Sequence, residues 1–189
     1  VQRSGVWQVD HVLSQAVQET NVRVKALLRR ANLLTSSWRE ARDSLQHHHE
    51  RLARTPSILP TDGHISSAFS RWRFHPILNY ARAHRGIDIS ARTGTPIVAA
   101  ARGRVDFAGR TGDYGLLVEI DHGFDILTRY AHTSKVFVRA GQIVERGDTI
   151  ALVGSTGLAV GPHLHYEVLV SGHAVNPRQF LMGSNAIAD

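Results

Sequence analysis

The spacing of apolar residues changes between residues 55 and 65, and this change divides the chain into two kinds of structure. Residues 55–63, TPSILPTDG, are punctuated by proline, aspartate and glycine, which is typical of a linker. Apolar residues recur in alternating steps of four and three before this point, whereas short β-rich runs separated by glycine-containing turns follow it. We therefore predict a helical segment at residues 1–55, a linker at 56–65 and a second domain at 66–189.

The steps of four and three define a heptad seam in the first segment, which predicts one long helix that forms a coiled coil. A helical hairpin is the alternative, because Ser37 and Glu40 fit a capping box, but the heptad phase continues across residues 35–37 and favours the single helix. The seam positions are Leu13, Val17, Thr20, Val24, Leu27, Ala31, Leu34, Trp38, Ala41, Leu45, His48 and Leu52.

Apolar side chains on such a seam cannot stay in water without cost, because each buried Leu or Val is worth roughly 1.5–3 kcal/mol. We expect the seam to pack on another copy of the chain, on the second domain or on an envelope partner such as a membrane complex. The regular heptad spacing favours a homodimer.

The second domain is predicted to be mainly β, with an antiparallel sheet core or sandwich, because its strands are short and regularly spaced. The predicted strands cover residues 96–100, 103–108, 116–120, 126–130, 150–153 and 164–170.

Two histidines one residue apart, His163 and His165, begin the last of these strands. Side chains two apart on a strand point to the same face, so both imidazoles enter one space. Upstream, His84 and Asp88 converge whether their segment is a helix or a strand, although Gly86 and the flanking isoleucines favour a strand. Two histidines and one carboxylate around an open fourth position are typical of a catalytic zinc site.

Three motifs follow one another in the chain: His84-x3-Asp88, Tyr130-Ala131-His132, and a Gly-Ser-Thr-Gly loop at residues 154–157 that leads into His163-Leu-His165. Together they resemble the M23 metallopeptidases, the lysostaphin-type or LytM-type peptidoglycan endopeptidases. The resemblance extends from about residue 66 to residue 181.

This resemblance implies a LytM-type antiparallel sheet domain that binds one Zn²⁺ per chain and cleaves peptide cross-links in bacterial peptidoglycan. Carried over residue by residue, the zinc ligands are His84, Asp88 and His165. The two catalytic histidines are His132 and His163, and the residues do not decide which of them is the general base.

Further positions upstream of the metal motifs also resemble the family. Arg73 and Pro76 correspond to its entry strand and turn, and Tyr80 is the nearest candidate for a tyrosine that some relatives carry before the first ligand. Residues 68–70, Ala-Phe-Ser, depart from the Gly-Phe-Gly of many relatives, and this departure bears on the shape of the groove.

The composition of the chain excludes some kinds of site and partner. It contains no cysteine, so neither a disulfide framework nor a thiolate metal site is possible. The net charge of +6 comes without a nucleic-acid recognition motif, so no nucleic acid partner is expected. We expect a location in the cell envelope, periplasmic or extracellular, with any membrane anchor in a segment outside this sequence.

Two other functions are alternatives to the peptidase. A catalytically inactive LytM-like regulator that activates a partner cell-wall hydrolase would suit the coiled coil, but the complete set of metal and catalytic residues opposes it. Residues 138–148 resemble a lipoyl-type carrier, but neither Lys25 nor Lys135 is placed at the hairpin tip that a carrier needs.

Overall fold

A computed structural model describes residues 4–74 and 81–181 of the chain. The chain divides into two compact units, Val1–His49 and Glu50–Asp189. Within the described residues, helix α1 spans Ser4–Arg54 and the short helix α2 spans Arg178–Leu181. The strands are β1 (His64–Ser67), β2 (Ser70–Phe74), β3 (Ala81–His84), β4 (Ile87–Ser90), β5 (Pro96–Val98), β6 (Gly103–Thr111), β7 (Gly115–Gly123), β8 (Ile126–Thr133), β9 (Lys135–Val136), β10 (Ile143–Val144), β11 (Thr149–Leu152), β12 (His163–Val170) and β13 (His173–Val175).

The strands of the second unit form one large antiparallel sheet and two small ones. The large sheet has the order β1-β4-β12-β8-β7-β6-β10, and β13 pairs with the far end of β12. Strands β5, β11 and β9 form a three-stranded sheet, and β2 pairs with β3. The predicted mainly β domain with an antiparallel sheet core, preceded by a helical segment, is therefore confirmed.

The hydrophobic core lies between the large sheet and the three-stranded sheet. The large sheet contributes side chains such as Ile87, Val118 and Tyr166, and the small sheet contributes Ile97 and Ile150; all five are fully buried. Because side chains alternate between the two faces of a strand, burying this face leaves the next residue of each strand on the opposite face. That opposite face carries the chemical groups described below.

Helix α1 is continuous through residues 35–37, so the single-helix prediction is confirmed and the helical hairpin is wrong. Its hydroxyl side chains do not interrupt it, since Thr20 and Thr35 each donate to the carbonyl four residues earlier. The coiled coil stays a prediction. None of the described helices carries an apolar stretch long enough to cross a membrane.

The last turn of α1 belongs to the second unit and is bonded to it. Arg146 donates from Nη2 to the carbonyl oxygens of Leu52, Ala53 and Thr55, at 2.5, 3.2 and 3.2 Å. The final carbonyls of a helix have no partner within the helix, so a guanidinium at this end stabilises it.

The segment predicted as a linker lies along β5. The amide of Val98 donates to the Pro60 carbonyl at 2.7 Å, and the Thr61 hydroxyl donates to the Pro96 carbonyl at 2.8 Å. The three boundaries drawn from the sequence, at 1–55, 56–65 and 66–189, stay a prediction.

A buried polar chain links β7 to β8 inside the second unit. His122 is fully buried and donates from Nδ1 to the Arg102 carbonyl at 2.8 Å. Burial lowers the pKa of His122, so its Nε2 is free to accept from the Thr128 hydroxyl at 2.8 Å. Tyr130 contacts Thr128 at 3.0 Å and accepts from the Ala100 amide at 2.9 Å. The side chains of His122 and Tyr130 thus both contact the Thr128 hydroxyl.

Substituting Thr128→Val should lower the free energy of unfolding by about 1–3 kcal/mol, because two buried polar groups each lose a partner. Urea denaturation monitored by circular dichroism measures this change. Thr149→Val in β11 is the matched control: its side chain is exposed, so its effect should stay within about 0.5 kcal/mol. Equal stabilities for the two variants would show that the buried chain contributes nothing.

Candidate active site

Strand β12 presents two of the candidate residues side by side on the face away from the core. His163 and His165 lie two apart, and the register with β4 places Asp88 directly opposite His165. The intervening Leu164 is fully buried in the core. The prediction that both histidines enter one space is confirmed, since the His132 ring lies 4.8 Å from the first and 5.9 Å from the second between ring centroids.

His84 reaches the site from a different sheet. It is the last residue of β3, which pairs with β2, whereas Asp88 lies in β4 of the large sheet. The single strand expected over residues 84–88 is therefore wrong, because the chain turns at 85–86 between two sheets. Gly86 permits the close approach of this turn to β12, since a Cβ there would collide with the Tyr166 carbonyl oxygen.

The three predicted metal ligands converge on one point. His84 Nε2 lies 3.0 Å from Asp88 Oδ1, His165 Nδ1 lies 2.8 Å from the same oxygen, and the two nitrogens are 3.2 Å apart. Ligand atoms of a tetrahedral zinc ion at ~2.1 Å lie about 3.4 Å from one another. The described residues hold one such group of three, and its donor set and spacing fit a zinc ion.

Hydrogen bonds on the far side of each ligand ring determine which nitrogen faces the centre. His84 Nδ1 donates to the Ala68 carbonyl at 2.7 Å, so its unprotonated nitrogen is Nε2. The Ala68 position is one at which the sequence departs from many relatives. Because the contact uses the backbone carbonyl, that departure leaves the orientation of His84 unchanged.

The electrostatics of the centre favour a cation. Burial alone would raise the pKa of Asp88, but hydrogen bonds with His165 and His84 outweigh it and hold that pKa well below its ordinary value. Burial alone would lower the pKa of His165, but hydrogen bonds with Asp88 and Glu167 raise it to about 9. The two carboxylates that favour a proton at His165 Nδ1 would equally favour a metal there.

His132 reaches the site through an unusual backbone conformation. In β8, Arg129 and Ala131 face the same way as Glu167 and His165, so a regular strand would direct residue 132 toward the core. His132 instead has a φ of 60°, in the left-handed region that non-glycine residues rarely adopt. This angle breaks the alternation and brings the His132 ring to the site face.

The two predicted catalytic histidines are oriented in the same manner. His132 Nδ1 donates to the Thr156 carbonyl at 2.8 Å, and His163 Nδ1 donates to the Gly161 carbonyl at 2.8 Å. In both rings the unprotonated nitrogen is therefore Nε2. Burial lowers the pKa of His132 to about 4, which keeps this ring neutral near pH 7 and leaves the lone pair on Nε2 available.

The loop at residues 154–157 holds the two histidines in place. The Thr156 hydroxyl accepts a hydrogen bond from the Leu116 amide at 2.9 Å and donates one to the Thr133 carbonyl at 2.9 Å. Gly154 accepts the His163 amide at 3.1 Å. These contacts join the end of β8 to the beginning of β12.

Sequence reasoning missed three side chains behind His165. The Glu167 carboxylate accepts from His165 Nε2 at 3.0 Å and from the Tyr114 hydroxyl at 2.9 Å, and Arg129 lies 3.3 Å away. The period-two rule could have found Glu167, which follows His165 by two residues, but nothing in the sequence identified the other two. Arg73 lies in β2; its side chain, Pro76 and Tyr80 fall outside the described residues.

The fold and this donor set define a class of protein with known representatives. The described fold aligns with the catalytic domain of the antimicrobial peptidase lysostaphin from Staphylococcus simulans, at a TM-score of 0.55 and 27% identity over 61% of this chain and 89% of that one. The sequence pattern of peptidase family M23 matches residues 82–177, just over half of the chain. The chain therefore belongs to peptidase family M23.

Several relatives are more similar in sequence. An uncharacterized metalloprotease of Haemophilus influenzae is 45% identical over 126 residues, 66% of this chain and 26% of the relative. The peptidoglycan DD-endopeptidase ShyA of Vibrio cholerae is 40% identical over 71% of this chain and 30% of that protein. A zinc-containing peptidase from Vibrio cholerae aligns at a TM-score of 0.62 and 37% identity, over 66% of this chain and 40% of that one. The chain thus spans under a third of the curated relatives' length.

Substituting Gly154→Ala should disturb both candidate catalytic histidines, because a Cβ would lie 2.5 Å from the Ser134 amide nitrogen and 2.8 Å from the His132 carbonyl oxygen. Overpacking of this kind costs about 1–3 kcal/mol of folding free energy. Denaturation, together with the NMR signals of the His132 and His163 rings, measures the effect.

Gly161→Ala, in the same connection between β11 and β12, provides the matched control. A Cβ at Gly161 would meet no atom within 4 Å, so stability should change by less than about 0.5 kcal/mol and the ring signals should stay in place. If the two alanine variants behave alike, the close approach at Gly154 does not position the histidines.

Proposed function

We propose that this chain is the peptidase part of a zinc-dependent endopeptidase that hydrolyses peptide cross-links in bacterial peptidoglycan. The observation that carries the proposal is the convergence of His84, Asp88 and His165, whose nearest ligand atoms lie 2.8–3.2 Å apart. Membership of peptidase family M23 supports it, as do relatives that are themselves peptidoglycan DD-endopeptidases.

The roles proposed for individual residues follow from their contacts. A zinc ion held by His84, Asp88 and His165 would supply Lewis acidity, which would polarise the scissile carbonyl and lower the pKa of a bound water toward ~7. His132 and His163 present unprotonated Nε2 atoms beside the ligands; one accepts a proton from the attacking water, and the pair stabilises the oxyanion or protonates the leaving amine. The carbonyls of Thr156 and Gly161 hold both rings in this tautomer.

The proposed substrate is a peptide bond in the cross-link between glycan strands, and the proposed location is the cell envelope, periplasmic or extracellular. Both proposals rest on the peptidoglycan-acting relatives. Mass spectrometry of muropeptides released from defined cell walls identifies the bond: cleavage of a glycine bridge and cleavage of a D-alanyl-diaminopimelate bond give different product masses.

The purified chain should hold about one zinc ion, and His84→Ala, Asp88→Ala or His165→Ala should each weaken its binding severely, because three protein ligands define the site. Elemental analysis after dialysis, followed by titration against a chelator, measures the loss. His173→Ala is the matched control, since this exposed histidine lies at a hairpin tip and its Nδ1 contacts the nearby Ser171 carbonyl oxygen at 2.9 Å.

Full zinc occupancy in all three ligand variants would contradict the assignment. A wild-type chain that holds no zinc yet stimulates a separate amidase would favour the inactive regulator instead.

His132→Ala and His163→Ala should keep zinc and fold but lose about 100- to 10,000-fold of the hydrolysis rate, which is the usual contribution of a general acid–base group. The rate of release of soluble muropeptides from purified cell walls measures this loss, with zinc content determined on the same samples. Turnover close to that of the wild type would exclude a catalytic role for the histidine concerned.

We also propose that the chain forms a homodimer through α1. The Leu, Val and Trp side chains of the heptad seam are between 47% and 75% exposed within the single chain. A parallel pair would place Arg23 opposite Leu28 and Arg30 opposite Thr35, so the charges flanking the seam would not repel one another. Burying the seam would remove a large apolar surface from water.

Leu34→Glu should abolish the dimer, whereas Leu33→Glu should leave it intact. The two leucines are neighbours with similar exposure, 55% and 70%, but only Leu34 occupies a seam position. Sedimentation equilibrium of the wild type and both variants tests the proposal. A monomeric wild type, or two variants that dissociate alike, would contradict it.

A further inference from the structure

The four histidines of the site differ in the acceptor that fixes each ring. His84, His132 and His163 donate from Nδ1 to backbone carbonyls. His165 is held through Nε2 by a carboxylate, that of Glu167, at 3.0 Å. A carbonyl is a neutral acceptor, whereas a carboxylate forms a charge-assisted hydrogen bond that is roughly twice as strong.

Glu167 is buried in a manner that requires specific partners. Its side chain is 1% exposed, and an unpaired carboxylate at such a depth would be very costly. Oε1 accepts from His165 Nε2 at 3.0 Å and from the Tyr114 hydroxyl at 2.9 Å, while Oε2 accepts from Arg129 Nη1 at 3.3 Å. Three donors thus compensate one carboxylate.

The register of three neighbouring strands produces this arrangement. Arg129 on β8 is directly opposite Glu167 on β12 and directly opposite Glu119 on β7. Arg129 also donates from Nε to Glu119 at 2.5 Å, so two carboxylates share one guanidinium. The row Glu119–Arg129–Glu167 fixes the Glu167 carboxylate from behind and leaves Oε1 directed at His165.

We propose that Glu167 is the positioning residue of the metal ligand His165, with Tyr114 and Arg129 holding its carboxylate in place. By accepting from Nε2–H, Glu167 would fix the ring of metal-bound His165 in the tautomer whose Nδ1 faces Asp88 and His84. The negative charge behind the ring also makes Nδ1 a stronger ligand. This inference rests on the proposed metal site, since positioning of a ligand has meaning only if the ligand binds metal.

A purely structural ion pair is the alternative explanation. Buried ion pairs can often be replaced by apolar side chains without loss of stability, so the row of three charges is weak evidence for a stabilising function alone. An ion pair also needs no histidine at hydrogen-bond distance. The two explanations differ in what they predict for zinc affinity when the charge of Glu167 is removed at constant shape.

Glu167→Gln in the full chain should weaken zinc binding by about 10- to 100-fold, the usual effect of removing a partner behind a metal-bound histidine. Competition with a chromophoric chelator gives the dissociation constant. Glu119→Gln is the matched control: it removes the other carboxylate that contacts Arg129 but none that contacts His165, so zinc affinity should fall far less than in Glu167→Gln even if stability falls.

Nitrogen-15 NMR of the histidine rings supplies a second measurement. Zinc-loaded wild type should show His165 protonated at Nε2 and bound through Nδ1, whereas Glu167→Gln should populate the other tautomer. Tyr114→Phe, which removes one hydroxyl and keeps the ring, should weaken zinc in the same direction but by less.

Equal zinc affinity in Glu167→Gln and a wild type that binds zinc would overturn the role of Glu167 while leaving the metal site in place. If Glu167→Gln does not fold, wild-type affinity in Tyr114→Phe would overturn it equally. A wild type that binds no zinc would overturn the proposed metal site, and this inference with it.

Discussion

Strand β12 is hydrogen-bonded on both edges, and its register places Asp88, His163 and His165 on one face of the large sheet. On one edge β4 places Asp88 opposite His165, and on the other β8 places Ala131 opposite the same residue. A slip of one residue would send the histidines into the core and bring Leu164 to the surface. The apolar residues that alternate with the ligands therefore fix the site as firmly as the ligands themselves.

Within strand β8, the site departs from this regularity at His132. A strand alternates strictly, so β8 can offer the site face only every second residue, and Ala131 already occupies the position opposite His165. The left-handed conformation at His132 adds a side chain that the alternation would have hidden. The Thr156 carbonyl, which holds the ring, and the Tyr114 carbonyl, which accepts the His132 amide at 2.9 Å, maintain this conformation.

Much of the fold and of the candidate site could be predicted from the sequence. The heptad seam indicated α1, and β-branched runs between glycines indicated six of the strands. The five candidate residues came from the order of family motifs. The period-two rule predicted one feature of their geometry, the shared face of His163 and His165. The partners of Glu167 could not be predicted, because Arg129 meets it across strands whose register is set by tertiary packing, and Tyr114 meets it from the turn between β6 and β7. The turn at residues 85–86 was missed because the sequence does not show that two sheets meet there.

The position of His84 in a small sheet of two strands affects local stability. His84 ends β3, which pairs only with β2 in the described structure, and an isolated two-stranded pair is marginally stable in water. Asp88 and His165 belong to the large sheet, so a metal bound by all three residues would link the β2–β3 pair to that sheet. Hydrogen exchange in β2 and β3 would then respond to the metal far more than exchange in β7 or β8. The same ion would then both complete the site and keep the β2–β3 pair rigid.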